Sequence, residues 1–283
     1  MYVMGAGHSG STILGITLGN CDGFFYAGEL EEWLMSSERP RWGAVDRQDF
    51  WRAVRERVHG AEGLLGGSAN RCIERSSASF RVDLWRARRR LRPAYRRVAE
   101  DLIGAVADVA RAHYVVDTSH FPLRARELRA LPGVELRLIY LVRDPRAVVA
   151  SNTRELSPHE VAELRWRRLT MNANLWLTQL LSIRTFLSHP ADRRILVRHE
   201  DFLEDPGGVT RRILEMLGSD AELPDLSQLT VGAPLQGNPL IRTDTVAIRR
   251  AQPRPPRADP ATRLAQAIWE PILGRLSPAA GER

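Results

Sequence analysis

The sequence predicts an α/β fold, a three-layer sandwich in which helices pack against a mainly parallel β-sheet. Short apolar runs rich in β-branched residues predict four buried strands, at residues 2–4, 114–116, 136–142 and 195–197. Each run is followed by a turn signal and then by a helical pattern, which is the alternation that parallel strands with crossover helices produce. At 283 residues, the chain is long enough to bury the core of such a domain.

A largely helical insertion separates the first helix, predicted over residues 11–19, from the second predicted strand. The insertion spans about residues 30–112 and contains a loop rich in glycine and serine at residues 60–70. Its helical patterns lie at residues 29–36, 47–58 and 94–112. Such an insertion is either a simple helical cap or the wall of an acceptor pocket, and the sequence leaves both open.

The main domain is predicted to occupy residues 1–252, with a short C-terminal extension after it. Residues 253–259 are rich in proline and arginine and predict a linker, and residues 260–283 predict a final helix and tail. Residues 158–187 have the pattern of one or two long helices. The helical spacing of their apolar side chains predicts a stripe that faces the core: Trp166, Leu169, Leu175, Trp176, Leu180 and Ile183.

Composition and charge limit the function without selecting it. Hydrophobic residues make up 43% and charged residues 27% of the chain, as in ordinary soluble globular proteins. The formal net charge of +7 suits an anionic ligand, an acidic surface or nucleic acid. Seven arginines fall between Arg86 and Arg97, but such runs are usually solvated helix faces. No aromatic-rich surface accompanies them, so we expect no nucleic-acid partner.

The cysteines and the apolar segments indicate the compartment. Cys21 and Cys72 form neither a disulfide framework nor a metal-ligand pattern, so we expect a cytoplasmic protein. The first residues lack the basic and apolar regions of a secretory signal. No apolar run is long enough to predict a transmembrane span, whereas peripheral contact with a membrane surface stays open.

The segment from Gly5 to Thr12 has the order strand, glycine turn, helix start, which makes an anion site from backbone N–H groups and the helix dipole. Gly5, Gly10 and Thr12 match the phosphate-loop frame G-x-x-x-x-G-K-[ST]. Ser11 stands where that frame has a lysine, which serves the β- and γ-phosphates of a nucleoside triphosphate. The loop is therefore predicted to hold one tetrahedral anion, such as a 5'-phosphate, and not to hydrolyse ATP or GTP.

A second anion anchor is predicted at the end of the strand at residues 136–142. Arg143 follows that strand, and Asp144 and Pro145 are suited to open a helix directly after it. Ser151 lies about two turns further on, so its hydroxyl can face the strand end. Arg143 and Ser151 together can hold a second phosphate, with the guanidinium forming a forked contact.

Five segments of the chain resemble PAPS-dependent sulfotransferases, in particular bacterial members of that family (PAPS is 3'-phosphoadenosine 5'-phosphosulfate). They occur in the family's order and together cover about residues 1–242. Residues 7–14 resemble the 5'-phosphosulfate loop, and residues 142–151 resemble the 3'-phosphate segment. The weaker matches lie at residues 116–124, 196–202 and 237–242.

The resemblance implies a P-loop-like fold and a sulfotransferase that moves a sulfuryl group from PAPS to a hydroxyl or amine, with adenosine 3',5'-bisphosphate as product and without a metal. Carried over by position, the residues that bind the nucleotide are Gly7, His8, Ser9, Gly10, Ser11, Thr12, Arg143, Ser151 and Arg242. The acceptor, whether small molecule, carbohydrate or lipid, is not encoded in these motifs. The oligomeric state is also left open.

The catalytic candidates include histidines at positions where the family has other residues. His8 replaces a lysine or arginine that stabilises the leaving phosphate, and it can do so when protonated. His120 replaces a lysine, and His199 replaces a tyrosine. For the base that accepts the proton of the acceptor, the resemblance favours Glu29, with His120 and Glu32 as alternatives.

Two other functions stay open at this point. One is a small-molecule kinase built on the same loop, against which the missing lysine and the pair of Arg143 and Ser151 argue. The other is a protein that binds a 3'-phosphonucleotide without turnover, which the substituted histidines would permit.

Overall fold

The centre of the molecule is a sheet of five parallel strands. In the computed structural model, the described residues are 1–35, 45–66, 70–152, 161–248 and 260–276. The strands are β1 (Tyr2–Gly5), β2 (Phe24–Gly28), β3 (Tyr114–His120), β4 (Leu138–Val142) and β5 (Arg194–Arg198). Their order is β2-β3-β1-β4-β5, so the central strand β1 has β3 on one side and β4 on the other. In such sheets the ligand crevice opens at the carboxyl ends, where the strand order changes direction, here beside β1.

Helices cover both faces of this sheet. Those in the described residues are α1 (Ser11–Gly19), α2 (Glu32–Met35), α3 (Val45–Arg57), α4 (Trp85–Ala110), α5 (Pro122–Leu128), α6 (Pro145–Asn152), α7 (Val161–Leu187), α8 (His199–Glu204), α9 (Pro206–Leu217), α10 (Pro260–Gln266) and α11 (Trp269–Leu276). A small antiparallel ribbon joins β6 (Leu229–Thr230) to β7 (Thr245–Val246). Among these helices, none combines the length and the apolar character needed to cross a bilayer.

The strands alternate their side chains between two apolar cores. Along β4, Leu138 and Tyr140 enter a core that also contains side chains of α3, α4, α5 and α11. Ile139 and Leu141 enter a second core on the other face, against α1, α8 and α9. Because side chains alternate with a period of two along a strand, one buried strand contributes to both layers. The predicted α/β sandwich with a mainly parallel sheet is thus confirmed.

The strand β2 was not predicted from the sequence, and its residues lie between the predicted first helix and the predicted helical insertion. Its sequence, Phe-Phe-Tyr-Ala-Gly, is aromatic and carries no β-branched residue. It becomes an edge strand by pairing with β3, which is more than eighty residues away, with Phe24 opposite Tyr114. The helix predicted at residues 29–36 begins only at Glu32, because residues 29–31 form the turn that leaves β2.

The long helix α7 points most of its apolar stripe towards solvent, so the predicted core-facing stripe is wrong for most of its members. Of the six, only Leu175 is buried and Ile183 partly buried. The exposed fractions of the others are 66% for Trp166, 60% for Leu169, 59% for Leu180 and 38% for Trp176. The inner side of α7 combines buried apolar side chains, such as Leu175 and Phe186, with hydrogen bonds such as Tyr140 Oη to Gln179 Oε1 (2.5 Å). Helical periodicity marked a stripe but could not decide which side faces the sheet.

The C-terminal helices pack onto the sheet domain. Trp269 and Leu273 of α11 are buried in the first core, and Gln266 of α10 donates to Asn172 Oδ1 of α7 (2.7 Å). The single helix predicted after residue 260 is divided into α10 and α11 at residues 267–268. The predicted linker at residues 253–259 and the tail after residue 276 lie outside the described residues.

Candidate active site

The loop between β1 and α1 has the backbone geometry of an anion cradle. Gly10 is the N-cap of α1 and has a φ of 89°, and His8 has a φ of 62°. Left-handed backbone of this kind is readily adopted by glycine and is uncommon for other residues. The turn aims the first backbone N–H groups of α1 at the crevice, where the helix dipole favours negative charge.

Two buried polar atoms at this loop have no hydrogen-bond partner among the described residues: Ser9 Oγ and His199 Nδ1. Ser9 is 1% exposed. The His199 ring packs directly on Gly10, where an added Cβ would lie 2.4 Å from Nδ1. A buried polar atom without a partner costs about 1–3 kcal/mol. These atoms therefore fit a site in which a bound polar ligand supplies the missing partner.

His120 lies at the carboxyl end of β3, beside the loop. Its Nε2 would be 4.0 Å from a Cβ added to Gly7, and its backbone is left-handed, with a φ of 57°. Burial lowers the pKa of His120 to about 4, although the nearby carboxylate of Asp117 opposes the shift. A histidine with this pKa is neutral at pH 7. It can accept a proton, but it cannot supply the positive charge of the lysine that it replaces.

Glu29 follows β2 and lies at the same edge of the sheet. Its backbone N–H donates to the carbonyl of Gln236 (3.0 Å). Burial, with a smaller contribution from the carboxylates of Glu32 and Asp117, raises the pKa of Glu29 to about 7. Burial also raises the pKa of Glu32. Glu29 therefore titrates near neutral pH, in the range that suits proton transfer.

Asp117 and Ser119 of β3 hold the turn that carries Glu29. Asp117 Oδ1 accepts hydrogen bonds from the backbone N–H groups of Leu30 (3.4 Å) and Ser119 (2.9 Å) and from Ser119 Oγ. Ser119 Oγ in turn accepts from the backbone N–H of Glu31 (3.1 Å). The sequence analysis assigned no role to either side chain. The signal available was the pair of an aspartate and a serine two residues apart, which is typical of a local side-chain turn.

Arg143 is placed at the loop, as predicted for a residue at the end of β4. Its Nη1 donates to the backbone carbonyl of His8 (2.7 Å). Beside it opens a cavity of about 110 Å³, whose lining includes Arg146, Arg198 and Arg263. The sequence analysis missed these three arginines, because they come from three separate segments that only the fold brings together.

Two further predicted binding residues are Ser151 and Arg242. Ser151 is half-buried in the last turn of α6. Arg242 ends a short 3₁₀ turn, Pro239–Arg242, and is exposed. The segment before it contacts the loop, because the backbone N–H of Asn238 donates to Thr12 Oγ1 (3.3 Å). The segment that carries Arg242 is therefore held against the start of α1.

Comparison with known proteins identifies relatives of one kind. The profile described as "Sulfotransferase family" matches residues 1–223. Carbohydrate sulfotransferase 1 of Danio rerio is 33% identical over 127 residues, which are 40% of this chain and 30% of that protein. The Rattus norvegicus protein of the same name is 32% identical over 131 residues, 41% of this chain and 32% of that protein. The chain thus spans about a third of the length of these curated relatives.

Two solved structures share the fold over most of both chains. The sulfotransferase domain from the Synechococcus PCC 7002 olefin synthase has a TM-score of 0.52 and 17% identity, and covers 95% of this chain and 93% of its own. The sulfotransferase domain from the curacin biosynthetic pathway has a TM-score of 0.52 and 16% identity, with 95% and 96% covered. At this identity the likeness concerns the fold.

Proposed function

Because this chain belongs to the sulfotransferase family, we propose that it moves a sulfuryl group from PAPS to a hydroxyl of a carbohydrate or another small-molecule acceptor. When bound, PAPS supplies the activated sulfuryl group. The observation that carries the proposal is the convergence of four strand ends on one crevice. The phosphate loop follows β1, His120 ends β3, Arg143 follows β4 and Glu29 follows β2.

The phosphate loop is assigned to the 5'-phosphosulfate. Gly7, Ser9, Gly10, Ser11 and Thr12 offer backbone N–H groups and hydroxyls at the positive end of α1. The unpartnered Ser9 Oγ supports this assignment, since an anion in the cradle would satisfy it. The charge that stabilises the leaving phosphate is assigned to His8 in its protonated form.

Arg143, Ser151 and Arg242 are assigned to the 3'-phosphate. The Arg143 guanidinium donates a hydrogen bond to the backbone carbonyl of His8 in the phosphate loop. The same side chain can thus bind the second phosphate and brace the first site. A guanidinium is suited to this because its N–H groups form a rigid fork that matches phosphate oxygens.

Glu29 is the first candidate for the base that takes the proton of the acceptor hydroxyl. Its pKa of about 7 makes it a stronger base than His120, whose pKa is about 4. His120 is the alternative, since its neutral ring can accept a proton and its Nε2 would lie 4.0 Å from a Cβ added to Gly7. Asp117 and Ser119 act as positioning residues, because they fix the turn from which Glu29 projects.

A carbohydrate hydroxyl is the acceptor that the curated relatives favour. Both relatives described above are named carbohydrate sulfotransferases. They match 40% and 41% of this chain, so a sugar acceptor is proposed as a class, without a particular sugar.

Calorimetry with adenosine 3',5'-bisphosphate tests the donor site. Arg143→Ala is expected to weaken binding by about 10- to 100-fold, because a charge-assisted hydrogen bond is worth about 1.5–3 kcal/mol. The matched control is Arg137→Ala at the other end of β4, where Arg137 pairs with Glu135 at 2.6 Å. The control should bind the nucleotide as the unchanged chain does.

The outcomes of this titration separate the candidate functions. Equal affinity of Arg143→Ala and the unchanged chain would contradict the assigned 3'-phosphate site. Tighter binding of ADP than of adenosine 3',5'-bisphosphate would favour the kinase. Tight binding of the bisphosphate without transfer of labelled sulfate from PAPS to any sugar hydroxyl would favour a protein that binds the nucleotide without turnover.

A further inference from the structure

The outer side of α7 is an apolar stripe interrupted by an arginine. Trp166, Leu169, Leu180 and Leu187 are each more than half exposed and lie on one side of the helix. Arg184 lies on the same stripe, four residues after Leu180 and three before Leu187, and is also exposed. These exposed side chains are not needed for docking α7, because the opposite side of the helix packs through buried apolar residues, such as Leu175 and Phe186, and through polar contacts.

The neighbouring helices α4 and α5 add positive charge to this side of the molecule. Arg126 of α5 lies within electrostatic range of Arg92 of α4, of Arg129 and of Arg184 of α7. Burial lowers the pKa of Arg126, and these three like charges lower it further, against the opposing effect of Glu127. Positive groups from three helices therefore meet at one place on the surface.

The acidic group nearest to this cluster is turned inward. The Glu127 carboxylate is 7% exposed and is paired with Arg92 (3.1 Å) and Arg96 (2.8 Å). It neutralises part of the charge at the base of the cluster but does not face solvent. The outer surface between α4 and α7 thus presents guanidinium groups and apolar side chains.

The start of α4 repeats the combination of an aromatic ring and a guanidinium. Trp85 is 55% exposed, and the guanidinium of Arg89 lies 5.6 Å from its ring centre. Trp85 is seven residues before Arg92, so both lie on the side of α4 that faces α5. We call the surface formed by Trp85, Arg92, Arg126, Leu180, Arg184 and Leu187 the α4–α7 face.

We propose that the α4–α7 face docks on the surface of a membrane that carries anionic lipids. Tryptophan and leucine side chains insert at the boundary between headgroups and acyl chains, and arginines attract anionic headgroups. A nucleic acid would match the arginines but would leave Leu180 and Leu187 in water. A second copy of the chain would cover the leucines, but a two-fold pairing of this face would bring the arginine clusters together.

Sedimentation of the full chain with lipid vesicles tests this proposal. The chain is expected to bind vesicles of phosphatidylcholine with phosphatidylglycerol, and not vesicles of phosphatidylcholine alone. Binding should weaken as salt is added. Arg184→Glu should lower the partition coefficient by about tenfold or more, since each basic residue near the surface contributes and the reversal removes one and adds a repulsive charge.

A matched control and a second variant separate the contributions. Arg212→Glu makes the same charge change on an exposed residue of α9, which packs on the other face of the sheet, and should leave binding nearly unchanged. Leu180→Ser keeps the charge and should also weaken vesicle binding. Equal unfolding midpoints for all variants check that the fold is intact.

Four results would overturn the proposal. The first is no preference for anionic vesicles, and the second is equal losses in Arg184→Glu and Arg212→Glu, which would mean a response to net charge alone. The third is a dimer, seen by light scattering without lipid, that Leu180→Ser dissociates. The fourth is vesicle binding that Arg184→Glu weakens, that Leu180→Ser leaves unchanged and that short duplex DNA displaces. This result would identify a polyanion, and not a membrane, as the partner.

Discussion

Two clusters of buried charge meet at β3, and they are built in opposite ways. In the lower cluster, the guanidinium of Arg124 is 1% exposed and pairs with Asp117 (3.0 Å) and Glu74 (2.5 Å). Tyr95 donates to the same Glu74 carboxylate. In the upper cluster, at the crevice, the like charges of Glu29, Glu31 and Glu32 act on one another. Buried atoms there that have no hydrogen-bond partner among the described residues are Ser9 Oγ, Glu31 Oε2 and His199 Nδ1.

The difference shows how one low-dielectric region can serve both stability and chemistry. Where opposite charges pair, burial strengthens their interaction. Where like charges meet, burial moves pKa values towards neutral pH, as for Glu29. Two of the three non-glycine residues with positive φ among the described residues, His8 and His120, lie at the crevice, and the third, Arg111, caps the end of α4. Asp117 belongs to both clusters and connects the stable part to the reactive one.

The largest effect is expected from breaking the paired cluster. Arg124→Met leaves the carboxylates of Asp117 and Glu74 buried without their cation, which should lower the free energy of unfolding by about 3–5 kcal/mol. Urea unfolding measures this loss. Arg126→Met, two residues along the same helix and exposed, is the control and should change stability by about 0.5 kcal/mol or less. Similar losses in both variants would contradict the contrast between the clusters.

The second prediction concerns the unpaired cluster. Glu29→Gln should lower turnover by about 10²- to 10⁴-fold, as expected for loss of a general base. The same change should stabilise the fold at pH 8. Folding raises the pKa of Glu29 from 4.5 to about 7, so stability falls as pH rises through that window. At pH 8 the variant should therefore recover at most about 3 kcal/mol of the free energy of unfolding. The control is Glu56→Gln, at an exposed position of α3.

The pH profile identifies which group acts as the base. If Glu29 accepts the proton, kcat/KM should rise with pH through about 7, which is the pKa of its carboxyl in the free protein. If His120 is the base, the rise should lie near pH 4. A profile that is unchanged in Glu29→Gln would assign the base to another residue.

A smaller effect is expected at the loop itself. Gly10→Ala requires a left-handed alanine whose Cβ would lie 2.4 Å from His199 Nδ1. Gly218→Ala requires a similar backbone, with φ at 65°, but meets nothing within 4 Å. The difference in unfolding free energy between the two variants isolates the contact with His199 and should be about 1–3 kcal/mol. Only Gly10→Ala should also weaken binding of adenosine 3',5'-bisphosphate.

The smallest change is expected from His8→Arg, which should retain or raise sulfuryl transfer. Arginine gives this position a permanent positive charge, and it is the cation that the chain uses, since all 41 lysine or arginine positions are arginine. Steady-state turnover with PAPS and a sugar acceptor measures the effect. A collapse of turnover would show that the histidine has a role that a permanent charge cannot replace.

Part of the site was predictable because it is local in sequence. The phosphate loop combines a strand, a glycine turn and a helix start within twelve residues, and Arg143 directly follows a recognisable strand. The turn that carries Glu29 was less accessible. It depends on β2, which is a strand only because it pairs with β3, and on Asp117 and Ser119, which are about ninety residues away.

The sequence by itself determined the parallel α/β architecture, the glycine turn between β1 and α1 and the position of Arg143 at the end of β4, because each rests on short segments whose geometry follows from neighbouring residues. The tertiary structure decided the charge states at the crevice and the orientation of α7. The pKa values of Glu29 and His120 follow from burial and from carboxylates on other strands. The exposure of Leu180 follows from polar contacts on the opposite side of its helix. Burial and electrostatics are set by groups distant in sequence, so only the folded chain determines them.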